Sequence, residues 1–202
     1  VLYIEPGEYS RENSEESEGT ESYDLSESYL HFQGIPGFSS LDATYDDNVS
    51  YVPLLGFEGV RFKLATTDAV PPAYKTFPIV GLPGFRPEYP FAAYVSNRES
   101  LIVENDSIIP NVMFVDASCP FSLFYVLGDL ANKNEEDILK IALIGTKPHA
   151  LGAILFALSR LPGTVQLLYD YPRKKAGRTS GIGRVHVYHV SFFFSSIEAL
   201  AT

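Results

Sequence analysis

Cysteine is nearly absent from this 202-residue chain. Cys119 stands alone, so no internal disulfide can form. A lone thiol fits a reducing compartment, and a cytoplasmic location is expected. Tryptophan is missing and histidine occurs four times, which leaves few soft metal ligands. His186 and His189, three apart in an expected strand, face opposite sides and cannot share a metal. Neither a metal nor a cofactor is expected. No apolar run approaches the roughly 18 residues that span a bilayer, so no membrane partner is expected. Bases are scarce as well: 15 Lys and Arg against 25 Asp and Glu give a net charge of −10. A balance this acidic argues against general coating of nucleic acid, while leaving room for one local basic site.

What is present is enough for a core. Apolar residues make up 46% and aromatics 13%, a folded composition, and the length suits a single domain over 1–202 with a lobe boundary near 98–110 as the alternative. The chain opens on Val1-Leu2-Tyr3-Ile4, already inside an expected strand and without a starting Met, so a piece lacking upstream sequence is expected. Acids crowd the first thirty residues, where Arg11 is the only base. The Ser/Glu-rich stretch 12–24 reads as a solvated loop. Bases crowd 173–184, with Arg173, Lys174, Lys175, Arg178 and Arg184 and no acid.

The most informative stretch is Ile141 to Gly152. Four apolar residues read as a buried strand, Gly145 allows a sharp turn, and Thr146 or Lys147 enters a helix with Pro148 in its first turn. That helix, expected over 148–159, is apolar all round and must be covered on every side, by this chain or by a second copy. Pro162-Gly163 stops it, and 165–169 is the next strand. The two strands, 138–144 and 165–169, are expected to be parallel neighbours, because a helix of crossover length joins them. The turn holds a lysine beside a helix N-terminus, which suits an anion; the long glycine-rich cradle of a P-loop is absent.

Similar punctuation recurs along the chain. Strands are expected at 28–33, 49–55, 77–80 and 111–116, the last clearly buried. Helices are expected at 60–67, ended by Pro71-Pro72, from 87 to about 96, and from Pro120 to about 131 with Ser118 as its cap. Residues 172–183 read as a loop too polar and glycine-rich for regular structure. Residues 185–194 read as a final strand, apolar on both faces and interior. The alternation predicts an α/β fold with a mostly parallel sheet and helices on both faces.

Parallel strands present their C-terminal ends on one rim, where ligands bind. Asp116 and Ser118 follow one strand, and Gly145, Thr146, Lys147 and His149 the next. Arg173, Lys174, Lys175, Arg178, Thr179, Ser180 and Arg184 follow a third. Arg86 and Glu58 belong to earlier turns. The composite is a basic, hydroxyl-bearing pocket suited to phosphate. Each member has a plainer role open to it. Thr146 and Ser118 also read as helix caps. Asp116 also reads as a loop organiser, His149 as a packed histidine, the basic loop as solvated, and Glu58 with Arg61 as a surface pair. No catalytic constellation stands out. Cys119 sits at a helix N-terminus, but no local argument places a base beside it.

Ile144-Gly145-Thr146-Lys147, between a buried strand and an apolar helix, resembles the Gly-Thr-Lys signature of CARF domains, with one glycine before Thr146 where that signature often has two. Leu55–Arg61, Gly81–Tyr89 and Ser180–Arg184 resemble stretches of bacterial proteins with no assigned activity. The CARF resemblance implies a Rossmann-like domain, a cyclic oligonucleotide at the rim, a homodimer, an attached effector and a place in antiviral signalling. The reading is therefore a Rossmann-like domain that binds or senses a phosphorylated, nucleotide-like small molecule. The alternatives are a nucleotide-processing hydrolase or transferase with Asp116 or Glu58 as base, and a scaffold subunit whose basic loop docks an acidic protein.

Overall fold

The computed structural model describes residues 1–10, 23, 25–39, 48–69, 72–103 and 106–200. The acidic stretch 12–24 lies outside them save for Tyr23, as does Pro71. The chain starts with strands β1 (Leu2–Tyr9), β2 (Ser26–Ser28), β3 (Gln33–Gly34) and β4 (Val49–Leu54). Helix α1 (Gly59–Ala69), β5 (Ile79–Gly81), α2 (Tyr89–Leu101), β6 (Ile102–Val103) and β7 (Asp106–Ser107) follow. Then come β8 (Met113–Val115), α3 (Pro120–Lys133), β9 (Ile138–Leu143), α4 (Lys147–Leu158) and β10 (Val165–Tyr169). The chain closes with β11 (Arg173–Lys174), β12 (Thr179–Val187) and α5 (Val190–Leu200).

Among the described residues, six strands form one mixed sheet in the order β3-β10-β9-β4-β5-β8. The five strands from β10 to β8 all run parallel, and only β3 runs antiparallel at the edge. The expected parallel pairing of β9 with β10 is present, with Ile141 opposite Leu167. β5 and β8, which flank 98–110, are neighbours in this one sheet.

The period of two along the strands divides the core into two layers. Val52, Leu54, Leu139, Ile141, Leu143, Val165 and Leu167 pack with α3 and α4 through Leu123, Leu127, Leu155 and Phe156. Tyr51, Val80, Ala142 and Ile144 face the opposite way, onto Phe62 and Ala65 of α1. Helices thus cover both faces. Pro53 is tolerated in the central strand β4 for a reason visible in its neighbours. Tyr51 O accepts from Phe77 N and Leu55 N donates to Ile79 O, so Pro53 faces the β5 side too. There the pairing is short, Leu54 with Ile79, so the missing N–H interrupts little.

Four expectations need correction. Residues 172–183 are not irregular: they supply β11, which pairs with β2, and the first half of β12, which pairs with β1 along its length. Residues 185–194 are not an interior strand. Val185 and Val187 stand on the exposed outer face of the β1–β12 ribbon, 56% and 58% accessible, and the chain then turns into α5. Val190, Phe193 and Phe194 keep a helical i, i+3, i+4 spacing and pack on the α3–α4 layer, with Phe193 4.3 Å from the Phe121 ring. Strand β8 is an edge strand, with Phe114 56% exposed. Ser118 does not cap α3: Cys119 is the N-cap residue and makes no side-chain capping bond.

Helix α4 is covered from within the chain by α3, β9 and β10, with Leu158 left on the surface. Gly152 sets how closely α3 crosses it. A Cβ there would stand 2.3 Å from Pro120 O and 3.1 Å from Leu123 Cβ. Alanine is the better helix former by about 1 kcal/mol, yet here it must push a backbone carbonyl aside. Gly152→Ala is expected to destabilise the fold by about 1–3 kcal/mol, read by urea denaturation. A gain in stability would contradict this crossing.

Candidate functional site

The rim at the C-terminal ends of the parallel strands has one place where successive connections part. The chain leaves β4 for α1 on one face and leaves β9 for α4 on the other, and β4 and β9 are neighbours in level register, Leu54 opposite Leu143. A cleft opens between two such connections, and this is where open parallel sheets hold ligands. The turns that flank it touch through glycine. A Cβ on Gly56 would lie 2.8 Å from Ile144 O, and one on Gly145 3.0 Å from Leu55 O. Any side chain there would spread the two turns apart.

A cavity of about 280 Å³ occupies this place. Its floor is the turns after β4, β5 and β9, and its roof is the β1–β12 ribbon with Ser26 of β2 and Lys174 of β11. Of the residues expected at the site, Gly145, Thr146, Lys147, Lys174, Arg178 and Thr179 line it together, joined by Glu58. Arg173 pairs instead with Glu27 at 2.9 Å on the surface, and Asp116, Ser118, His149, Lys175, Ser180 and Arg184 lie outside the lining. Arg86 works on the roof, donating to Gly7 O and standing 3.6 Å from Glu8.

Several of these residues organise the rim from behind. The Thr146 hydroxyl donates to Ala117 O at 2.8 Å and accepts from His149 N at 3.3 Å, so it caps α4 and ties that helix to the turn after β8. Asp116 Oδ1 accepts from the backbone N and the hydroxyl of Ser118, closing that turn. His149 is fully buried, and its Nε2 donates to Asp116 O at 2.9 Å, which places its proton on Nε2. Burial holds its pKa below the ordinary histidine value despite the Asp116 carbonyl, so the ring stays neutral in the packed role.

Glu58 and Arg61 are not a surface pair. Both are buried, at 8% and 7% exposure. Arg61 binds Asp170 through both arms of its fork, Nε to Oδ2 at 2.7 Å and Nη2 to Oδ1 at 2.5 Å, and Nη1 donates to Ile144 O. Burial opposes the Arg61 charge, but the bonds and charge of Asp170 outweigh it and raise the pKa. Glu58 accepts from Leu25 N, the Ser26 hydroxyl and the Tyr29 hydroxyl, which anchors β2 above the cavity. Asp170 was missed by sequence reasoning, although it directly follows β10 and the rim rule covers that position.

Lys147, Lys174 and Arg178 have no ion-pair partner among the described residues. They stand close enough to act on one another: burial lowers the Lys147 pKa first, and Lys174, Arg178 and Arg61 lower it further. The lining also carries the aromatic rings of Tyr3, Tyr9, Phe57, Phe85, Tyr89 and Tyr169. Tyr9 meets both groups, because Arg178 bears on its hydroxyl and its ring packs edge-on against Phe57 and Tyr89. No sequence signal marks these aromatics as one group, since they come from β1, two separate turns, the start of α2 and the end of β10.

The Arg61 pair gives a direct test of what holds the rim. Asp170→Ala leaves a buried guanidinium unpaired and is expected to cost about 3–5 kcal/mol, whereas the double change Arg61→Met with Asp170→Leu should recover most of that loss. Urea denaturation of both variants measures it. A loss of well under 1 kcal/mol in Asp170→Ala would show that the pair does not hold the rim together.

No protein-family model matches this chain, and neither a curated protein nor a solved structure matches it.

Proposed function

We propose that this protein is a Rossmann-like domain that binds a phosphorylated, nucleotide-like small molecule in the cavity between the turns after β4 and β9. The observation that carries the reading is the convergence of Lys147, Lys174 and Arg178 on one cavity with no ion-pair partner among the described residues. Like charges gathered without an anion repel, and a bound phosphate relieves that repulsion. Strand order supports the fold reading. Taken by position in the chain, the parallel strands run third, second, first, fourth, fifth across the sheet, the order of dinucleotide-binding halves, with the cavity at the reversal.

An enzyme reading through Glu58 or Asp116 as base has less support. Glu58 accepts three hydrogen bonds from the roof, and Asp116 spends Oδ1 on closing its turn. Binding without turnover is the simpler use of such a site. The Gly145-Thr146-Lys147 turn adds the resemblance to CARF sensors. On that resemblance rest a regulatory role in antiviral signalling, a homodimer and an effector that reads ligand occupancy.

Calorimetric titration with AMP, ribose 5-phosphate and inorganic phosphate tests the reading. Lys147→Ala is expected to weaken binding roughly tenfold to a hundredfold, the value of one charge-assisted hydrogen bond. The fold should remain intact, and the unliganded protein should be no less stable, because a repelling charge has been removed. Neutralising Lys174 and Arg178 together should weaken binding as well, with a loss that shrinks at high salt. Unchanged affinity in Lys147→Ala would leave Gly145-Thr146-Lys147 as a structural turn.

The pH dependence has a definite sign. Lys147 is charged below its pKa, and that pKa lies below the ordinary lysine value because of burial and the neighbouring cations. Binding should therefore be full below the lowered pKa and weaken as pH rises through it, earlier than an exposed lysine would allow. Lys147→Ala should flatten this alkaline limb. Affinity measured across the alkaline range, where phosphate is already doubly charged, checks it.

A further inference from the structure

We propose that the cavity takes one nucleotide-sized unit, with its phosphate at Lys147, Lys174 and Arg178 and a planar ring against the aromatic wall of Tyr3 and Phe85. This rests on the phosphate reading above and specifies the ligand that reading leaves open. The cations come from α4, β11 and the turn before β12, whereas Tyr3 and Phe85 come from β1 and from the turn after β5. A plain anion would use only the cations and leave the rings of Tyr3 and Phe85 without a partner in the cavity.

The aromatic wall itself has two parts with different duties. Tyr23, Phe57 and Tyr89 pack on one another, with Tyr23 and Phe57 stacked at 4.4 Å, so their faces are largely spent on the roof. Tyr3 and Phe85 are different. They line the cavity, tilt against each other at 5.9 Å, and are backed by His186 at 5.7 Å from each ring. A partly buried ring pair, supported from behind and bordering a cavity, is a stacking platform for a flat ring. Burial raises the pKa of Tyr3, Tyr9 and Tyr89, so these phenols stay neutral and add no charge against an anion.

Size restricts the ligand further. At about 280 Å³ the cavity falls at the lower end for enclosed small-molecule sites. One ring, one sugar and one phosphate group fill such a space. A ring of several nucleotides does not enter it while the β1–β12 roof is in place.

The test compares ligands on the intact protein by calorimetry. AMP, GMP, CMP and UMP are titrated beside ribose 5-phosphate, inorganic phosphate and a cyclic tetra-adenylate. At least one nucleoside monophosphate is expected to bind about fivefold or more tightly than ribose 5-phosphate, at one per chain. Phe85→Leu, which keeps apolar bulk and removes the ring face, should erase most of that advantage while leaving ribose 5-phosphate binding unchanged. Should Phe85→Leu fail to fold, the wild-type comparison alone decides. Equal affinity for ribose 5-phosphate and all four monophosphates would overturn the ring subsite and keep the phosphate site. Tighter binding of the cyclic tetra-adenylate than of every monophosphate would overturn the single-unit assignment. Binding of none of these compounds would remove the phosphate reading, and this inference with it.

Discussion

One guanidinium ties together the rim at the C-terminal ends of the central strands. Arg61 reaches from α1, which follows β4, to Asp170 at the end of β10 and to Ile144 O at the end of β9. In the sheet order β10-β9-β4 these are three adjacent strands, so one side chain links the ends of all three. Burying such a pair brings little net stability, because desolvation offsets most of the attraction. Its value is geometric. A planar fork bound at both arms allows one orientation, and an apolar replacement of equal volume would allow several. Glu58, one helical turn before Arg61 and 3.7 Å from it, carries the same constraint upward into the roof through Leu25, Ser26 and Tyr29.

This division of labour explains the charge left at the cavity. Arg61 and Asp170 cancel, and Glu58 is committed to the roof. Lys147, Lys174 and Arg178 then line the cavity without an ion-pair partner among the described residues. At the opposite rim the arrangement differs. Asp137 accepts from Ser50 at 2.6 Å and pairs with Lys75 at 2.7 Å, so the carboxylate there is used to fasten the sheet.

The central sheet was legible because its information is local. Strands β4 and β9 are apolar on both faces, as strands covered by helices on both sides must be, and Gly56, Gly145 and Pro162 mark where they or their helices stop. Of the residues the rim rule gathers, Gly145, Thr146, Lys147, Lys174 and Arg178 share one cavity lining, while Asp116, Ser118, His149, Arg173, Lys175, Ser180 and Arg184 lie outside it. The roof was illegible for the opposite reason. Thr179-Ser-Gly-Ile-Gly183 is a strand only because β1 lies beside it, more than 160 residues earlier in the chain. Its glycines, which locally argue for a loop, answer to that pairing: a Cβ on Gly7 would meet Ser180 O at 2.9 Å, and one on Gly183 would meet Pro6 O at 3.1 Å. In α5 the helical spacing of Val190, Phe193 and Phe194 was present but hidden, since Val185 and Val187 extend the apolar run backward without a break. Hydrophobic runs of that kind do not separate strand from helix by period alone.

Holding three cations together requires that each be fixed by something other than its own charge. Lys147 is placed by the Thr146 cap, whose hydroxyl is tied to Ala117 O. Lys174 is placed by pairing with Ser26 in β2, and β2 is held by Glu58. Arg178 is placed by its backbone: its carbonyl accepts from Ser10 N, next to a second bond from the Ser10 hydroxyl to Gly177 O. Backbone and hydroxyl bonds do the positioning, so the side-chain charges remain unspent. The pKa of Lys147 is lowered first by desolvation and then by its cationic neighbours Lys174, Arg178 and Arg61, so their repulsion is a cost carried by the unliganded fold. A group that repels its neighbours in the empty site attracts an anion most strongly once one arrives, because the anion removes the repulsion and adds its own attraction. Under the proposed phosphate reading, affinity at this rim and stability of the unliganded fold are set against each other by the same three residues.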